Sequence, residues 1–289
     1  MKETFIDFHT HTTQSDGAYT PTDLCRMAQE AEIGILAVTD HNYTGEITEL
    51  RKTCPNLHLV QGAEISCLYT DAAGKETELH VVALGFDADN PKLKDVLAHN
   101  QPDRQPYIDA ILDRLRSCGI DLGCYNKLCK MYPNRRQIGR MDIAKMLTDR
   151  GYTASVDQAF DEYIGAHGKR RAFVPNPLRY VSLEEAVGAI VDAGGAAVLA
   201  HLYYYLLSDA ENAELLRYFK KLSGKNGAME VFYSRYDQKQ RMQLKALADQ
   251  YDLMYSAASD FHGQSEDETL VNHFSATDCS ALLEFLGVQ

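Results

Sequence analysis

The stretch Phe5-Ile-Asp-Phe-His-Thr-His-Thr-Thr-Gln-Ser-Asp-Gly17 ends an apolar run in two histidines, His9 and His11, and Asp16 follows. In an extended segment alternate residues share a face, so His9 and His11 point the same way. The same spacing recurs far along the chain, where "SDFH" carries Asp260 and His262. Between them, residues of the same kinds follow or sit within short apolar runs: Asp40-His41 after "ILAVT", Glu64 in "GAEIS", His80 in "ELHVV" and His201 in "VLAH". Imidazole and carboxylate together suit Zn, Mn or Fe and are too nitrogen-rich for Ca or Mg alone. Six histidines and three carboxylates exceed what one ion takes, whereas two or three divalent ions sharing a bridging carboxylate suit the count. Left unpaired, so many ionisable groups would be costly to desolvate together. Asp40 reads as a residue that orients a ligand imidazole. His58, His99, His167 and His273 read as ordinary hydrogen-bonded histidines.

Elements must bring these residues together. Near-continuous apolar runs predict strands at about 4–8, 35–39, 58–62, 79–85, 196–200, 228–232 and 254–257, of the kind that pair in parallel with both faces covered. Helical patterns fall between many of them. Thr20-Pro21 is an N-cap followed by proline at the first helical position, and Ser182-Leu-Glu-Glu185 is a capping box. Further helices are expected at 211–222, 238–250 and 280–286. Seven strands with intervening helices indicate a βα barrel, whose strand ends converge on one mouth. The rhythm breaks between residues 100 and 175, where helices at 107–117, 140–150 and 155–163 succeed one another. The predicted organisation is therefore a barrel from 1–99 and 176–289, with a helical insertion, a cap, at 100–175.

As an ordered set, "HTHTTQSDG", "VTDHN", "GAEIS", His80, His201 and "SDFH" resemble the PHP family, named for polymerase and histidinol phosphatase domains, over essentially the whole chain. The resemblance implies an α/β fold, a distorted (β/α)7 TIM-like barrel with a trinuclear site. One metal would be held by His9, His11, Glu64 and Asp260, and a second by Glu64, His80 and His201, with Glu64 bridging. A third would be held by Asp16, His41 and His262. The implied reaction is hydrolysis of phosphate esters by a metal-activated hydroxide, with Glu64, Asp260 and His262 at the catalytic centre. "IGRMDIAKML" and the stretch from Gly168 to His201 resemble a subgroup that acts on nucleotides, namely 3′,5′-nucleoside bisphosphate phosphatases and a 5′-to-3′ exoribonuclease acting on short RNA. Two positions depart from that subgroup. Asp142 stands in a stretch that usually bears a histidine, and Leu202 replaces a proline. Asp142 would then set a negative charge beside Arg140.

Composition bounds the partners. The net charge of −12 excludes general nucleic-acid coating, and no stable binding of duplex is expected. Between Asn100 and Pro175, however, 13 Lys and Arg outnumber 9 Asp and Glu, which suits an anionic substrate. Arg140, Lys169 and Arg170, with Arg171, are the candidate contacts to a second phosphate, because arginine grips phosphate bidentately. Arg135 and Arg136 read as surface charges. Tyr203, Tyr204 and Tyr205 follow His201 and could stack a base, and Tyr233 and Ser234 could line the mouth. No apolar run is long enough to span a membrane. Met1-Lys-Glu-Thr-Phe does not read as a signal peptide, and seven cysteines without a C-x-x-C pair suit reduced thiols in the cytoplasm. The expected partner is a small phosphorylated compound, a nucleotide or short oligonucleotide. Histidinol phosphate is the competing substrate. A catalytically silent metal-binding module is the competing role.

Overall fold

Seven runs rich in Val, Ile, Leu and Ala form one seven-stranded sheet in a computed structural model that describes residues 4–166, 168–263, 270 and 274–288. The strands are β1 (Phe5–Asp7), β2 (Ile33–Val38), β3 (His58–Thr70), β4 (Glu76–Leu84), β5 (Ala196–Leu199), β6 (Gly227–Tyr233) and β7 (Met254–Ala258). Their order in the sheet is their order in the chain. Phe8 N donates to Ala257 O and Asp260 N to His9 O, each at 2.9 Å, so the end of β7 returns alongside the end of β1. His167 and His273 lie outside the described residues.

The parallel expectation fails at β4, which runs antiparallel to both β3 and β5. Its cause is local. Asp71 Oδ1 accepts from Ala73 N and Lys75 N at 2.9 and 2.8 Å, and Gly74 takes φ +82°, closing a tight turn with no room for a crossover helix. The hairpin also lengthens β3 to Thr70, well past the predicted end at residue 62. Glu64 and His80 therefore stand within strands and not at their ends. Glu64 still meets the end of β2, because Asn42 N donates to Glu64 O and Glu64 N to Asp40 O beyond that strand's last residue. Gly62 lets the backbones close up there: a Cβ would lie 2.7 Å from Val38 O.

The chain divides into two compact units, one of Met1–Thr12, Gly17–Asn100 and Tyr180–Gln289, the other of Thr13–Asp16 and Gln101–Arg179. In the first unit the helices are α1 (Pro21–Glu30), α2 (Ile47–Thr53) and α3 (Pro91–His99). The second unit holds α4 (Gln105–Ser117), α5 (Tyr125–Met131), α6 (Arg140–Asp149) and α7 (Val156–Ala159). The first resumes with α8 (Leu183–Asp192), α9 (Asp209–Ser223), α10 (Gln238–Gln250) and α11 (Ser280–Phe285). The caps act as their sequences require. Thr20 accepts from Asp23 N, and Ser182 and Glu185 each accept from the other's backbone N–H. One face of the sheet buries Ile65, Leu79, Val81, Leu199 and Val231 against Val187, Ile190, Leu216 and Phe219 from α8 and α9. Each such side chain removed from water contributes about 1.5–3 kcal/mol.

The second unit has its own core of Ile108, Ile111, Leu115, Leu128, Ile143 and Leu147. The helix expected at 155–163 is short: Ser155 caps α7, and a single π turn, Phe160–Ile164, follows. Arg135 and Asp142 differ from the sequence reading. Arg135 is not a surface charge; it is 7% exposed, and its Nε donates to Asp142 Oδ1 at 2.7 Å. Asp142 Oδ2 accepts from Gly139 N at 2.8 Å and so closes the first turn of α6. Burial pushes the Asp142 carboxyl up, and the Arg135 guanidinium and the Gly139 N–H pull it back. Its charge is therefore engaged within the fold and is not held out beside Arg140 as an opposing surface charge.

Candidate metal centre

The first unit gathers five of the predicted imidazoles around the carboxylate of Glu64. Glu64 Oε1 lies 2.8 Å from His80 Nδ1, 3.2 Å from His201 Nε2 and 3.3 Å from His9 Nε2. Its Oε2 lies 2.7 Å from His41 Nδ1 and 3.4 Å from His11 Nε2. Asp260 Oδ1 is a second focus, 3.3 Å from His11 Nε2 and 3.5 Å from His9 Nε2. His262 stacks on His11 with ring centroids 4.1 Å apart. His9 and His11 come from one face of the segment leaving β1, as the spacing requires. Asp260 and His201 reach their places through left-handed backbone, at φ +54° and +29°. Such conformations in non-glycine residues are strained and gather where a site over-determines them.

Glu230 was not expected here. It lies in β6, 1% exposed in an otherwise apolar run. Its Oε1 sits 2.6 Å from His9 Nδ1, and its Oε2 accepts from His201 N at 2.7 Å. A carboxylate on one ring nitrogen fixes that N–H and leaves the other nitrogen's lone pair facing inward. The available sequence signal was a charged residue inside the strand "AMEVF". Asp7 plays a related part, accepting from His9 N at 3.2 Å and Ser259 N at 3.1 Å; burial, offset by these bonds, pushes its carboxyl up to about 6. Tyr233 O–H donates to Asp260 Oδ2 at 2.7 Å, so Oδ1 is the oxygen that faces His9 and His11. Asp40 takes the N–H and hydroxyl of Thr12 at 2.8 and 2.7 Å, which anchors the residue after His11.

The donor set fits divalent metal ions. His9 Nε2 and His11 Nε2 face each other at 3.1 Å while both face carboxylate oxygens. Protons satisfy this pocket only in part. Burial opposes protonation throughout, yet Glu64, Glu230 and Asp260 hold His9 well above its ordinary value, and Glu64 lifts His80 to about 10. His11, buried beside His262 and His41, is pushed down to about 3. His11 thus keeps a neutral imidazole lone pair facing the carboxylates of Glu64 and Asp260, which is the state a metal ligand requires. Among the described residues, the ligand atoms of His9, His11 and Asp260 lie within 4.8 Å of one another, as do those of His41, Glu64 and His80.

A sequence profile described as the PHP domain matches residues 7–273. The chain belongs to the PHP domain family. It is similar to the 5′-3′ exoribonuclease Rnm of Salmonella typhimurium, 34% identical over 260 residues, which span 89% of this chain and 84% of that one. It is likewise similar to a 3′,5′-nucleoside bisphosphate phosphatase of Chromobacterium violaceum, 31% identical over 276 residues, spanning 93% and 90% of the two chains. A solved structure of an amidohydrolase from Chromobacterium violaceum, with bound sulfate and no metal, matches at a TM-score of 0.79 and 29% identity over 92% of this chain and 90% of that one. The seven-stranded sheet with one antiparallel member is this chain's version of the PHP barrel.

The remaining predicted site residues of this PHP domain have the following surroundings. In the second unit, Arg140 opens α6 with its guanidinium 6.0 Å from the centre of the Phe160 ring. Lys169 Nζ donates to Glu162 at 2.6 Å, and Arg170 stacks 4.3 Å over Phe173. Asp16 belongs to the same unit, where its backbone O accepts from Arg135 Nη2 at 3.4 Å. In the first unit, Ser234 Oγ donates to Ser259 O at 2.8 Å, and Tyr203 packs on Tyr236 with ring centroids 5.3 Å apart.

Proposed function

We propose that this PHP-domain protein is a metal-dependent phosphoesterase acting on small nucleotides, such as 3′,5′-nucleoside bisphosphates, or on short oligonucleotides. The observation that carries the reading is Glu64, a buried carboxylate whose two oxygens face five imidazoles. In this reading His9, His11, Glu64 and Asp260 hold one ion, Glu64, His80 and His201 a second, and Asp16, His41 and His262 a third. Mn, Zn and Fe all suit the donors. Bound there, divalent ions supply positive charge for phosphoryl oxygens and acidify water. The chain's own residues do the positioning. Glu230 holds the Nδ1 proton of His9, Tyr233 turns Asp260 Oδ1 inward, and Asp7 ties the end of β1 to Ser259. Glu64, Asp260 and His262 are the residues assigned to the reacting phosphate. Arg140, Lys169 and Arg170 are assigned to a second phosphate, because they lie in a basic middle segment of an acidic chain. A cytoplasmic location goes with this reading, because seven cysteines without a C-x-x-C pair suit reduced thiols.

The deciding experiment measures phosphate release by Mn-reconstituted protein from adenosine 3′,5′-bisphosphate, AMP, a short 5′-phosphorylated RNA and histidinol phosphate. Preference for the bisphosphate or the RNA is the expected result. Preference for histidinol phosphate would remove the second-phosphate role from Arg140 and Lys169. No release from any of the four, with metals bound, would leave a silent module.

A further inference from the structure

Three tyrosines follow His201, and they point to different ends. Tyr205 turns inward: its hydroxyl accepts from His80 N at 2.9 Å and donates to Ala200 O at 3.0 Å. Tyr203 packs on Tyr236 and against the core. Tyr204 faces outward and is 51% exposed. Its ring stands edge-on to His201, with centroids 5.6 Å apart, and to Tyr233, 5.9 Å away. Arg235 Nη1 donates to the Tyr204 hydroxyl at 3.4 Å. Tyr233 in turn donates to Asp260. An exposed aromatic ring with a guanidinium at its edge therefore stands one side chain away from two candidate metal ligands, His201 and Asp260.

The backbone around Tyr204 is held out at a cost. His201 at φ +29° and Leu206 at φ +52° bracket the turn, and neither is a glycine. Leu206 is also 89% exposed. Left-handed backbone in a bulky residue is strained and persists where the surroundings impose it. The neighbouring Tyr203 and Tyr205 are partly buried and pack against the core, which is the favourable course for so large an apolar surface. Tyr204 forgoes that burial beside the candidate centre.

We propose that Tyr204 and Arg235 form the platform on the barrel unit for the part of the substrate that is not hydrolysed, with a heteroaromatic base stacked on the Tyr204 ring and Arg235 donating to the anionic sugar-phosphate. This deepens the nucleotide reading above and rests on it. A ring stacks any base, so the platform separates nucleotides from abasic sugar phosphates and does not select one base over another. A guanidinium suits the second place because it is planar, permanently charged and able to donate several hydrogen bonds at once.

The test compares Mn-reconstituted wild type with Tyr204→Ala, Tyr204→Phe and Arg235→Ala. The substrates are adenosine 3′,5′-bisphosphate and its abasic analogue, 1-deoxyribose 3,5-bisphosphate. Binding of AMP is followed separately by calorimetry. Tyr204→Ala is expected to reduce the nucleotide-over-abasic ratio of kcat/KM by about tenfold or more, mainly through KM, and to weaken AMP binding to match. Tyr204→Phe keeps the ring and is expected to stay within about threefold of wild type in both measures. Arg235→Ala is expected to raise KM for both substrates, since both carry the phosphates. An unchanged ratio in Tyr204→Ala, or a Tyr204→Phe variant as impaired as the alanine variant, would overturn the platform and leave the phosphoesterase reading intact. A wild type that releases no phosphate yet binds AMP through the Tyr204 ring would do the reverse.

Discussion

Glu230 shows how much of a candidate metal centre is built by residues outside the expected ligand set. It must accept two N–H groups at once, from the His9 ring and from the His201 backbone. Glutamine in its place has a single carbonyl oxygen, so its amide N–H₂ would face one of those donors. Glu230→Gln is therefore expected to weaken metal binding about 10–100-fold, as is usual for an outer partner of a ligand histidine. Chelator competition followed by metal analysis would read this; unchanged affinity would remove Glu230 from the centre. Glu64 makes the stronger prediction. Glu64→Ala is expected to lower phosphate release at least about a hundredfold and to reduce the metal bound per chain. Full turnover in that variant would sink the proposed mechanism.

Among the elements, α6 of the inserted unit depends on a pair 7 residues apart, Arg135 and Asp142. Both side chains are nearly inaccessible to water. Removing one partner of such a pair strands the other, at about 3–5 kcal/mol. Asp142→Ala and Arg135→Ala are each expected to destabilise the inserted unit by that order, and the double variant by less than the sum. Urea denaturation of the two single variants and the double would measure it; additive losses would show that the two act independently. Lys169 offers the contrast. Its partner bond to Glu162 lies at the surface, so Lys169→Ala is expected to leave stability nearly unchanged.

Across the whole chain, charge is unevenly divided, with an acid excess overall and a basic stretch from Asn100 to Pro175. The candidate centre concentrates imidazoles and buried carboxylates on the ends of β1, β2, β5 and β7 and the middle of β3 and β4, so folding and metal binding are expected to form one linked equilibrium. A ligand present at a hundred times its dissociation constant adds about 2.7 kcal/mol to stability. Chelation is therefore expected to lower the melting temperature, and Mn or Zn to restore it, with calorimetry as the check. A melting temperature indifferent to chelator in a protein shown to lose its metal would separate the centre from the fold.

Local chemistry made much of this protein legible from its residues alone. The H-x-H spacing sets His9 and His11 on one face, Thr20 and Ser182 start helices by satisfying orphan N–H groups, and the apolar runs foretell seven strands. Those are properties of a few adjacent residues, so they can be read without knowing what packs where. The turn at Asp71–Lys75 was written in the same way, and its polar, glycine-bearing stretch carried the antiparallel β4 that the strand pattern by itself did not. Other features depended on tertiary packing. His9 meets Glu230 across 221 residues of chain, Arg135 becomes buried against Asp142 in the first turn of α6, and of three consecutive tyrosines only Tyr204 is left facing out. Residue type says that a glutamate, an arginine or a tyrosine needs a partner. Which partner it finds is decided by distant segments, and only the folded chain brings those together.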